Sequence, residues 1–135
     1  MSDATIAKAF ETTLKTWADA QTPSIPVAWE NVEFNPPAGR YVRAKLLPNE
    51  TQSTFLDGSG RTRVGIFQVD LTMPIGTGAG SARTLAASLD AAFAVTMVQD
   101  GLRIWLTSPM SAASGITHGD RFIVPVSGHY KAFAA

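Results

Sequence analysis

The sequence predicts an α+β fold: an antiparallel or mixed β-sheet with two helices packed on one face, formed by residues 1–135 as a single domain. Three observations predict it. Ile6, Phe10, Leu14 and Trp17 recur at helical spacing near the N-terminus. Two long stretches, Arg40 to Leu47 and Arg63 to Met73, alternate apolar and polar residues as half-buried strands do. Between those strands and two more apolar alternations near the C-terminus lies a second helical pattern, and that order favours hairpins with helices stacked on them.

The first helix spans Asp3 to Ala20, with Lys8, Glu11, Lys15 and Asp19 off its apolar stripe. Ser2 or Asp3 can cap it, and the Thr22-Pro23 pair ends it, because the residue before proline is pushed out of the helical region. Pro23, Pro26, Pro36 and Pro37 then limit residues 23 to 39 to a short strand near Val27-Ala28-Trp29 and an irregular connection. In the strand from Arg40 to Leu47, Val42, Ala44 and Leu46 face the core, while Tyr41, Arg43 and Lys45 face water or a partner.

Pro48 to Thr62 reads as a long hairpin connection, with Asp57-Gly58 and Ser59-Gly60 as turn residues and Phe55 and Leu56 as its apolar anchors. From Arg63 to Met73 the core face is Phe67, Val69, Leu71 and Met73, and Val64, Ile66, Gln68, Asp70 and Thr72 face the other way. Ser81 is the expected cap of the second helix, which runs to about Phe93 and buries Leu85, Leu89, Ala92 and Phe93, with Arg83 and Asp90 pointing away. Two more strands place Leu102, Ile104 and Leu106, then Phe122, Val124 and Val126, inward. A serine- and glycine-rich loop from Thr107 to Gly119 joins them.

Composition narrows the function. With no cysteine there is no disulfide, thiolate metal site or cysteine nucleophile, and a reducing cytoplasm is the expected place of assembly. The N-terminus shows no basic export region, and the apolar run Ala91 to Val95 is far too short to cross a bilayer, so no membrane role is expected. Eleven basic and eleven acidic side chains balance, which argues against a dedicated nucleic-acid binder. The charges are unevenly placed, however. Residues 1 to 35 hold five acids and two lysines, and residues 36 to 65 hold five bases and two acids, a split that suits head-to-tail contact between identical subunits.

No reactive grouping emerges. The stretch from Gly76 to Ser81 follows a strand and opens a helix, where backbone N–H groups favour anions. Its spacing matches neither the dinucleotide fingerprint nor a P-loop, since Ser81 and Ala82-Arg83 stand where glycine or lysine is needed; a flexible turn is the plain reading, and a small ligand site the less favoured one. His118, Asp120 and His129 can ligate a metal only if the last strand folds back on the loop before it, and His118-Gly119-Asp120 otherwise reads as a turn. No cofactor is expected. The basic group Arg43, Lys45, Arg61 and Arg63 fits a solvated strand pair, a subunit interface or weak phosphate contact, and Trp105, opposite in parity to Ile104, fits a contact residue or one lying under a loop.

The run Ile25-Pro26-Val27-Ala28-Trp29-Glu30-Asn31-Val32-Glu33-Phe34-Asn35-Pro36-Pro37, then Tyr41-Val42-Arg43-Ala44, Gly65-Ile66-Phe67-Gln68-Val69-Asp70-Leu71, a Gly-x-Gly turn into a helix, Gly101-Leu102-Arg103-Ile104 and Phe122-Ile123-Val124-Pro125-Val126 resembles the phage tail-terminator-like proteins related to the lambda minor tail protein U. The resemblance spans nearly the whole chain and implies a non-enzymatic α+β subunit of a ring, usually hexameric. Such a ring sits on the finished tail tube in the virion, ends tube growth and offers a surface for joining the head. The implied partners are copies of itself, the tail tube protein and a head–tail connector protein. Another neck or connector component of the same virion is the alternative. No catalytic residues carry over, and interface positions are not transferable, so Arg43, Lys45, Arg61, Arg63 and Trp105 stand on the residues alone.

Overall fold

The computed structural model describes residues 3–49, 51–53, 61–76, 78–93 and 96–134. The elements run α1 (Asp3–Asp19), β1 (Val27–Ala28), β2 (Tyr41–Pro48), β3 (Gln52–Ser53), β4 (Arg61–Pro74), α2 (Ala79–Ala92), β5 (Met97–Gln99), β6 (Leu102–Ala112), β7 (Ile116–His118) and β8 (Arg121–Ala134). The principal strand order is β1-β2-β4-β8-β6-β5, with β3 beside β4 and β7 beside β8. The β1–β2 pair is parallel and the others are antiparallel, so the sheet is mixed.

Both helices lie on one face. Phe10 of α1 stacks on Phe67 of β4 at 4.5 Å, and Phe93, just beyond α2, lies 5.6 Å from the same ring. Tyr130 of β8 closes the group at 5.5 Å from Phe10. Phe10, Phe67, Phe93 and Tyr130 are among the most completely buried side chains of the core. Trp17 Nε1 donates to Ser88 Oγ at 3.0 Å, so the one polar atom of that buried indole is satisfied where α1 meets α2.

The structure corrects four sequence expectations. The segment from Thr107 to Gly119 is not a loop: β6 continues to Ala112 through two register shifts and β7 pairs with β8. Its serines and glycine hid strands whose cohesion comes from backbone pairing with β8 rather than from apolar alternation. Ser81 does not cap α2, which starts at Ala79 after Gly78, whose φ of 81° is open to glycine without strain. Tyr41 shares the parity of Arg43 yet is buried, because Phe34 packs 5.2 Å from its ring. Residues before β2 therefore fold over that end of the outer face. Finally, β5 is a separate three-residue strand at one end of the sheet. Ser2, Phe55, Leu56, Asp57, Gly58, Ser59 and Gly60, named above as cap, anchors and turn residues, lie outside the described residues.

Candidate interaction surfaces

With the helices on one face, the other face of the sheet carries the residues of opposite parity. Its covered end is organised by Arg121. The guanidinium lies 5.5 Å from the centroid of Tyr41, donates from Nη1 to Gly39 O at 2.7 Å, and donates from Nη2 to Pro37 O. Thr72, opposite Tyr41 in the register, is buried. These contacts close the proline-rich segment over the sheet, leaving the rest of the face open.

The open part is polar at its centre and mixed at one flank. Arg43 stands opposite Asp70 and Lys45 opposite Gln68, and Gln68 Nε2 donates to Asp70 Oδ1 at 2.8 Å. Opposite charges facing each other across a strand pair are mutually stabilising, by a few tenths to about 1 kcal/mol. Toward β5, Val98 is opposite Arg103, Arg103 is opposite Phe133, and Trp105 is opposite Lys131. Trp105 is half-buried, packed edge-on against Phe133 with centroids 4.8 Å apart and planes at 83°.

The structure divides the basic group expected from the sequence. Arg43 and Lys45 point to the outer face, as their spacing predicts. Arg63 has the parity of Phe67 and Val69, and its Nη1 lies 3.8 Å from Asp3 Oδ1 of α1 and 3.4 Å from Thr51 Oγ1. Arg61 has the same parity at the start of β4, opposite Ser53. Thus Arg63 fastens the helix layer to the sheet, and the four cations form no single patch. Arg121, Lys131 and Phe133 are outer-face residues of β8 that sequence reasoning passed over, as it did Val98 and Arg103; for those of β8, parity with Ile123 and Pro125 was the available signal.

A groove of about 470 Å³ crosses the end of β2, β4, β8 and β6, lined by Leu47, Pro48, Val64, Ile66, His129 and Lys131 among others. Gly65 lies at its floor opposite Tyr130. A Cβ on Gly65 would sit 2.6 Å from Leu47 O and 2.6 Å from Tyr130 Oη, so only glycine lets the phenol lie across the strand. The Tyr130 hydroxyl is buried and has no hydrogen-bond partner among the described residues. Burial pushes its pKa up to about 12; the Asp3 carboxylate adds to the rise and Arg63 opposes it.

The other candidate sites are not assembled. Ile75, Gly76, Gly78, Ala79 and Phe122 line a depression of about 340 Å³ whose surroundings are apolar, unlike an anion cradle. Thr77 lies outside the described residues. His118 pairs with Arg121 at the β7–β8 turn, and His129 lies eight residues farther along β8, roughly 27 Å at the usual rise of an antiparallel strand. No group of His, Asp and Glu that could hold a metal occurs among the described residues, so the grouping of His118, Asp120 and His129 does not form. No helix among them is long and apolar enough to cross a membrane.

Comparison with known proteins agrees with this architecture. A solved structure is similar over 100% of this chain and 98% of its own, with 41% sequence identity and a TM-score of 0.85. A search of curated proteins finds no match. The profile of the family described as Phage tail terminator protein, a structural and non-enzymatic family, matches residues 5–130. The chain belongs to that family and is a structural component of the phage tail.

Proposed function

We propose that the protein forms a ring, hexameric as in the proteins it resembles, that caps the tail tube, ends its growth and presents a surface for joining the head. Subunits assemble in the host cytoplasm, and the partners are further copies, the tail tube protein and a head–tail connector protein. The observation that carries this reading is a surface built for contact. The helices cover one face of the sheet, leaving charged and aromatic residues on the other, and residues 111 to 120, which include β7, are all exposed.

Symmetry supplies the mechanism. A tube grows because each ring exposes a face that fits the next, and head-to-tail addition contains no stopping rule. A cap ends growth if one surface fits the last tube ring and the other rejects tube subunits while accepting a different protein. The exposed Ser111 to Asp120 arm and the open sheet face provide two chemically different surfaces on one subunit.

Gold-labelled antibody on purified tails, with the mass of the isolated protein measured by light scattering, tests the assignment. The expected result is label at the head-proximal end only and a mass several times the 14.3 kDa of one chain. Label along the tube or at the distal tip contradicts it.

A further inference from the structure

We infer that the ring contact joins a preformed acidic turn at the β1 end of one subunit to the basic and aromatic flank at the β5 end of the next. This rests on the ring reading and names the two surfaces that would make it.

The donor surface is the turn after β1. Trp29 packs against the core, Val32 N donates to Trp29 O at 3.3 Å, Asn31 takes a φ of 54°, and Leu46 N donates to Glu30 Oε1. Four local constraints therefore hold Val32 outward between Glu30 and Glu33, and Val32 is 59% exposed. An apolar side chain so fixed enters a partner with little loss of conformational freedom. Glu11 lies within electrostatic reach of this turn, since after burial it is Glu30 that raises its pKa.

The acceptor surface is the far end of the sheet. β5 closes the strand order opposite β1, and Val98 on it is 63% exposed. Cross-strand neighbours place Val98, Arg103 and Phe133 in one row and Trp105 and Lys131 in the next. Arg103 and Lys131 are both exposed. The nearby carboxylate of Asp100 lies 4.0 Å from Lys8 of α1. On the donor side, Arg43 has Asp70 opposite it in its own sheet. The two free surfaces are thus apolar centres of opposite charge, and they lie at opposite ends of one sheet. Surfaces complementary to each other but not to themselves join head to tail, and rotation between copies closes a ring.

The cysteine-free chain allows a direct test. The double variant Val32→Cys/Val98→Cys, treated with a short bismaleimide at a concentration where the wild type assembles, should give a ladder of covalent multimers ending at the ring number, and neither single variant should give one. Cross-linked dimers from Val32→Cys alone indicate a two-fold contact and overturn the inference. A charge-reversed variant, Arg103→Glu/Lys131→Glu, should retain the wild-type circular dichroism and associate at least about tenfold more weakly. Adding Glu33→Lys to that chain should restore association. Rings from the wild type and from the reversed variant alike overturn this interface and leave the ring reading standing; a wild type that stays monomeric alone and on tube ends removes both.

Discussion

The guanidinium of Arg121, at the start of β8, lies 5.5 Å from the centre of the Tyr41 ring, at the start of β2, and also donates to the carbonyls of Pro37 and Gly39. One side chain thereby joins a sheet strand, an aromatic ring and the proline-rich segment. Arg121→Ala should lower stability by about 1–3 kcal/mol, as the loss of charge-assisted hydrogen bonds does. Arg121→Lys should recover little of it, because an ammonium lacks the planar fork that reaches two carbonyls while lying on a ring. Urea unfolding of the three proteins measures both.

Gly65 makes a sharper prediction. A methyl group there meets the Leu47 carbonyl, which is main chain of the neighbouring strand and cannot swing aside. Gly65→Ala should destabilise by about 1–3 kcal/mol, the usual cost of overpacking, and the thermal midpoint reads it.

Tyr130 links stability to alkaline pH. Its folded pKa, about 12, lies above the ordinary 10.0. The folded state therefore holds its proton where the unfolded state releases it, and the contribution is complete below pH 10 and lost as pH rises toward 12. Tyr130→Phe should abolish that part of the decline. At pH 8 it should match or exceed the wild type, since it removes a buried hydroxyl with no partner among the described residues. Urea unfolding at both ends of the range separates the two effects.

Glu11 acts in the acid range. Its folded pKa is raised above 4.5 by burial and then by Glu30. The stabilising contribution is complete below 4.5 and lost as pH rises through the folded value, so ionised Glu11 is a liability at neutral pH. Glu11→Gln should be more stable than the wild type at pH 7, with the difference vanishing toward pH 4, measured by denaturant unfolding at low protein concentration.

Periodicity made the central architecture legible. The spacing of Ile6, Phe10, Leu14 and Trp17 and the alternation through Val42 and Val69 are local consequences of burying one stripe or one face. Parity also separated Arg63 from Arg43, although treating the bases as one group obscured it. What local pattern does not encode is long-range covering. Tyr41 is buried by Phe34, which reaches it across an irregular proline-rich segment, and by Arg121, which is distant in sequence, and β7 is entirely exposed and owes its place to pairing with β8. Contact surfaces are harder still to read, because a residue such as Val98 or Trp105 gains meaning only from its cross-strand neighbours.

The ending of tube growth is the central claim, and tube length tests it most directly. Purified tail tube protein polymerised alone should give long tubes of widely spread length; substoichiometric addition of this protein should shorten and narrow the distribution. Lengths unchanged at saturating concentration would contradict the account.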